Sequence, residues 1–111
     1  MEIKHTQFKR CDLLKIKGRI DSYTAPQLEE AINEITNAGR FKIVLDMSEV
    51  DFVSSRGWWV LIDNQKKCKR FNRGEVVLAG LQQNIRDSLN LVGMGKYFEL
   101  VDDVINAVGN F

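Results

Sequence analysis

Apolar residues along this chain follow the alternation of strands first and the spacing of helices later. Ile3, Phe8, Leu14 and Ile16 fall in two short alternating stretches, with Lys9-Arg10-Cys11-Asp12 between them as a turn, and predict an opening hairpin. From Thr24 the period changes. Thr24 suits a helix N-cap, Pro26 suits a first turn that tolerates a missing N–H, and Leu28, Ala31, Ile32 and Ile35 form one helical stripe that Gly39 ends. Phe41-Lys42-Ile43-Val44-Leu45 is a continuous apolar run of strand length and predicts a central strand.

The remaining chain repeats that alternation of elements. Trp58, Leu61, Ile62, Gln65 and Cys68 recur at helical spacing until Asn72-Arg73-Gly74. Val76-Val77-Leu78 reads as a second buried strand, and Leu81, Ile85, Leu89 and Val92 as a helix closed by Gly93-Met94-Gly95. Phe98-Glu99-Leu100-Val101 predicts a short edge strand, and Val104, Ile105 and Val108 a closing helix capped from Asp102 or Asp103. The order ββαβαβα(β)α implies an α/β fold: a mixed sheet of four to five strands with an N-terminal hairpin, covered by about four helices.

A length of 111 residues is that of one domain, residues 1–111, without a second core. The near-neutral net charge of +1 offers no global attraction for nucleic acid. The cluster Lys66-Lys67-Cys68-Lys69-Arg70 reads as a solvated helix end. Neither a secretory signal nor an apolar run of membrane-spanning length is present, so cytoplasmic residence without a membrane or nucleic-acid partner is expected. Cys11 and Cys68 match no metal-ligand spacing and read as small buried side chains. No metal or cofactor is expected.

The candidate chemistry lies in the stretch Val53-Ser54-Ser55-Arg56-Gly57-Trp58-Trp59. The serines fall at a helix start, where Ser54 suits a cap and Ser55 lies in a first turn whose free N–H groups favour an anion. A phosphoryl group there adds about two negative charges without straining a helix. A nucleophilic serine needs a base, and the one histidine, His5, lies in the first strand. No G-x-S-x-G elbow or nucleotide-binding glycine loop is present, and Asp46, Glu49 and Asp51 read as turn or capping residues of a loop. An enzyme is not expected.

Three segments resemble the STAS domain, in particular the small bacterial anti-sigma factor antagonists. Gly18-Arg19-Ile20-Asp21-Ser22-Tyr23-Thr24-Ala25-Pro26-Gln27-Leu28 is similar to the family's segment after its second strand. Asp46-Met47-Ser48-Glu49-Val50-Asp51-Phe52-Val53-Ser54-Ser55-Arg56-Gly57 is similar to its serine signature, and Leu89 to Phe98 to its late segment. The resemblance implies phosphorylation at Ser55, with Ser54 the second choice because it stands where many members have aspartate. It implies a partner surface of Asp21, Ser22, Tyr23, Thr24, Ser54, Ser55, Arg56, Gly57 and Trp59. The implied partners are an anti-sigma factor with serine kinase activity and a serine phosphatase, with the free chain a monomer. A non-switching STAS adaptor in a transporter or signalling complex is the alternative.

Overall fold

The opening alternation becomes an antiparallel hairpin, β1 (Glu2–Gln7) with β2 (Asp12–Ile20), in which Ile3 faces Ile16 and His5 faces Leu14. A computed structural model describes all 111 residues. The chain continues through α1 (Ala25–Asn37), β3 (Lys42–Val53), α2 (Ser55–Lys69), β4 (Glu75–Ala79), α3 (Gln83–Leu91), β5 (Glu99–Val101) and α4 (Val104–Gly109). The expected element order is therefore found, with the bracketed fifth strand present. The five strands lie side by side in chain order, the first pair antiparallel and the others parallel.

A sheet that grows in one direction through crossovers of one hand carries its crossover helices on one face. Residues from α1, α2 and α3, among them Leu28, Ile32, Trp58, Leu61, Ile85 and Leu89, share the main core with Leu14, Ile16, Ile43, Leu45 and Leu78. The opposite face holds a smaller core in which Ala107 of α4 packs with Cys11, Val44, Val77 and Ala79. Ile105, expected on the buried stripe of α4, is exposed instead.

β3 runs twelve residues to Val53, well past Leu45, where the apolar run stops. Its pairing with β4 ends at Asp46 opposite Ala79, whereas its pairing with β2 continues to Val53 opposite Ile20. The second half thus has one neighbour rather than two, and its polar residues face water while the backbone remains extended. Asp46, Glu49 and Asp51 are accordingly strand residues and not loop residues. Asp46 Oδ1 accepts from the Ser48 amide and hydroxyl, and Glu49 pairs with Lys15 at 3.2 Å. Register shifts in the β2–β3 pairing, with the extra residues in β3, flank Gly18, whose φ of 107° is accessible mainly to glycine.

Two polar clusters fix the layers. Asp12, expected in the hairpin turn, is the buried first residue of β2; its carboxylate accepts from Arg40 Nε and contacts His5 Nε2 at 2.6 Å. Arg40 Nη2 also donates to the Phe8 and Cys11 carbonyls, tying the α1–β3 turn to the hairpin turn. In α2, the buried Gln65 accepts from Val76 N and donates to the carbonyls of Val76 and Tyr97. Its side-chain amide acts as one more peptide group on β4, at a residue preceding the start of the β5 pairing.

Both cysteines are buried and unpaired. Burial pushes the Cys68 thiol up to about 11 and raises that of Cys11, so neither presents a thiolate near neutral pH.

Replacing Arg40 by alanine leaves the buried Asp12 with only the His5 contact. We expect Arg40→Ala to lose about 2–3 kcal/mol of unfolding free energy in a urea titration. A loss within about 0.5 kcal/mol, the usual range for surface substitutions, would show that this cluster does not hold the turns together.

Candidate functional site

The C-terminal ends of β2 and β3 lie together, and each feeds directly into a helix start. Ser54 N–H donates to the Ile20 carbonyl at 2.8 Å, joining the start of α2 to the last residue of β2. Ser54 takes the extended conformation of an N-cap, and its Oγ accepts from Gly57 N at 3.1 Å. Ser55 is the first helical residue and is exposed. The amides of Ser55 and Arg56 have no partner within the protein. The two adjacent serines therefore differ in chemistry: the Ser54 hydroxyl is engaged as a cap, and the Ser55 hydroxyl is free beside two free N–H groups at the positive end of a helix.

Gly57 is buried rather than displayed. A Cβ on Gly57 would lie 2.8 Å from the Ile20 carbonyl oxygen and 3.0 Å from a Val53 methyl, closer than such atoms pack. The residue lets the first turn of α2 sit on the ends of both strands, so its expected place on a contact surface is corrected to one beneath it. Adjacent in sequence, Trp58 and Trp59 point in different directions. Trp58 is fully buried and its Nε1 donates to Ser88 Oγ at 3.0 Å; Trp59 is 51% exposed, one turn beyond Ser55.

The β2–α1 loop forms the other half of the site. Asp21 Oδ1 accepts from the amides of Tyr23 and Thr24, both at 3.0 Å. Thr24 occupies the N-cap position of α1, yet its side chain makes no cap bond to that helix. Its hydroxyl turns back, accepting from Asp21 N and donating to the Arg19 carbonyl. The capping role expected for Thr24 is thus replaced by a loop-closing one. Tyr23 is 92% exposed at the loop's crest. The Thr24 amide foremost, with further help from the Tyr23 amide and Arg19, holds the Asp21 carboxyl below the usual aspartate range.

Ser22 and Arg56 line one groove between α1 and α2 together with Glu29, Glu30 and Glu34. Arg56 makes no ion pair within the protein, so its charge remains available beside Ser55. Of the expected site residues, the groove brings Ser22 and Arg56 together; the others lie in the same loop and at the start of α2, and Gly57 is buried. One pair was not foreseen: Arg19 lies 4.3 Å over the half-exposed ring of Phe52, directly across the β2–β3 pair, and approaches Asp21 at 3.7 Å. By alternation Phe52 is in phase with the buried Val50, so the strand period carried no signal for this pair, and only the register shift that skips Asp51 sets Phe52 apart from it.

His5 lies at the far end of the sheet, opposite Leu14 and held by Asp12. It supplies no base to either serine.

The STAS domain model matches residues 2–107. The chain belongs to the STAS domain family. An anti-sigma-F factor antagonist, RsfB, of Mycobacterium tuberculosis is 33% identical over 96 residues, covering 86% of this chain and 77% of that protein. The fold of this STAS domain is shared by an anti-sigma factor antagonist from Mycobacterium paratuberculosis, with a TM-score of 0.86 at 24% identity over 98% of this chain and 92% of that one. It is also shared by the Bacillus cell fate determinant SpoIIAA in its phosphorylated form, with a TM-score of 0.75 at 14% identity over 98% of each chain. No helix in this STAS domain is long and apolar enough to cross a membrane.

The buried glycine and the loop carboxylate can each be tested. Alanine is the better helix former than glycine by about 1 kcal/mol, but at Gly57 it meets backbone that cannot yield. The cost of overpacking exceeds that gain, so Gly57→Ala should lose about 1–2 kcal/mol in net stability by denaturant titration; a more stable variant would contradict the close approach. Because the Asp21 pKa is lowered by folding, its contribution is complete above the ordinary aspartate value and is lost as pH falls through the lower folded value. In an NMR titration the Tyr23 and Thr24 amides should move together with a midpoint below that of a free aspartate, and Asp21→Asn should abolish that step.

Proposed function

We propose that this STAS domain protein is an anti-sigma factor antagonist that acts by partner switching at Ser55. The observation that carries the reading is the division of labour between the serines: Ser54 is spent on Gly57 N–H, whereas Ser55 presents a free hydroxyl on the exposed first turn of α2. Unphosphorylated, the chain binds an anti-sigma factor with serine kinase activity and so releases the sigma factor that the partner otherwise holds. The surface it offers is the Asp21–Thr24 loop with Ser55, Arg56 and Trp59.

The kinase partner supplies ATP, and the chain supplies the acceptor. Ser55 Oγ forms a bond to the γ-phosphorus as the bond to the ADP oxygen breaks, and the hydroxyl proton leaves to the partner or solvent. The product dianion sits by the free amides of Ser55 and Arg56 at the positive end of α2, so the fold holds it without rearrangement. What changes is the surface. About two negative charges appear at a contact fitted to a neutral hydroxyl, and like-charge repulsion together with lost desolvation energy releases the partner. A serine phosphatase restores the hydroxyl by transferring the phosphoryl group to water. In this circuit the chain is a substrate and a binding protein.

The wild type, Ser55→Ala and Ser55→Asp test this against the kinase partner isolated with the wild-type chain. Ser55→Ala should bind like the wild type, and Ser55→Asp at least about tenfold more weakly, or about 1.4 kcal/mol. Mass spectrometry of the chain after incubation with kinase and ATP should place phosphate on Ser55 and not on Ser54. Equal retention of the partner by all three would make this an adaptor rather than a switch. Trp59→Ala should cost about 1–2 kcal/mol of binding with an unchanged unfolding midpoint, as expected for an aromatic anchor.

A further inference from the structure

Three turns meet at the end of the sheet remote from Ser55: the hairpin turn, the α1–β3 turn and the α2–β4 turn. Within residues 8–11, 38–42 and 69–74 they carry seven cations and no carboxylate, in a chain of net charge +1. None of Lys9, Arg10, Lys42, Lys69, Arg70 and Arg73 forms an ion pair. A solvated helix end accounts for Lys69 and Arg70, but it does not account for the convergence of the other two turns.

That convergence is built. Arg40 is fixed by Asp12 and by the carbonyls of Phe8 and Cys11. Arg73 lies 3.8 Å over the Phe41 ring and donates to the carbonyls of Arg70 and Lys67. Gly74 packs against the Phe41 carbonyl so closely that no Cβ fits. Arg10, Arg40, Lys42 and Arg73 then line one concavity of ≈ 180 Å³, and the carboxylate in its wall, Asp12, is already engaged by Arg40 and His5. Two guanidinium groups are held in place before any ligand arrives, and two exposed cations, Arg10 and Lys42, flank them. Fixed guanidinium groups lose little entropy on meeting a phosphate and match its oxygens geometrically.

The geometry points to a binding site for a phosphorylated small anion between Arg10, Arg40, Lys42 and Arg73, at the pole of the molecule opposite Ser55. This site is separate from the serine switch and does not rest on it. The phosphate belongs either to a soluble compound or to the headgroup of a phosphorylated lipid, since both present the same oxygens.

Pyrophosphate titrated into the isotope-labelled full chain at physiological ionic strength, followed by amide NMR, tests the soluble source. Phosphatidylcholine vesicles with and without phosphatidic acid test the lipid source by co-sedimentation. The site predicts saturable shifts centred on Arg10, Gly39, Arg40, Lys42 and Arg73, or sedimentation that requires phosphatidic acid. Either signal should weaken at least tenfold in the double variant Arg10→Gln/Lys42→Gln, whose side chains make no hydrogen bond in the fold. Response to pyrophosphate alone assigns a soluble ligand, and response to vesicles alone a headgroup. No saturable response to either probe, an unchanged response in the folded double variant, or shifts centred on the start of α2 would overturn the proposal.

Discussion

The contact between Gly57 and the ends of β2 and β3 is the constraint on which the site depends. The first turn of α2 sits against the Ile20 carbonyl and Val53, a separation that only a residue without a side chain permits. Ser54 completes the junction by donating its amide to Ile20 and capping Gly57 with its hydroxyl. With the helix start pinned in this way, Ser55 has one place to go, outward on the first turn. The same junction aligns the β2–α1 loop beside it, because that loop leaves the strand end that Ser54 holds.

Rigidity beneath the site and freedom on it have the same origin. Trp58 is buried and bonded to Ser88, which links α2 to α3, while Trp59 and Tyr23 remain in solvent. A phosphoryl group on Ser55, as proposed, would therefore meet a helix already locked into the core, with unsatisfied amides positioned to receive charge. Under the proposed switch, this is a chemical change that would alter recognition without altering the fold. Relatives named as anti-sigma factor antagonists fit a protein built in this way.

The helices and strands were legible in the sequence wherever a full apolar period was present, as in α1, in α2 and in the hairpin. The second half of β3 was not, because it loses its neighbour β4 after Asp46 and takes on the polar residues of a loop. The serine pair could be placed at a helix start from the spacing of Trp58, Leu61 and Ile62, and the free state of Ser55 then followed from ordinary capping chemistry. Other features depend on partners far away in sequence. Asp12 reads as a turn residue until Arg40 folds onto it, Gln65 reads as part of a stripe until β4 arrives, and Thr24 reads as a cap until the Arg19 carbonyl proves the better acceptor. A local pattern contains none of these long-range bonds.

If Ser55 is the switch, its modification must rewrite a surface and leave the fold intact. Amide NMR of the chain carrying stoichiometric phosphoserine at position 55, compared with the unmodified chain, puts both halves of that statement at risk. Shifts should be confined to residues 21–24 and 54–60, with downfield movement of the Ser55 and Arg56 amides as they take up the phosphate, and the core that includes Leu14, Leu45 and Trp58 should be unchanged. Shifts spread through the sheet, or loss of dispersion in the core, would show that the phosphoryl group acts by unfolding the helix start, which a surface switch does not permit.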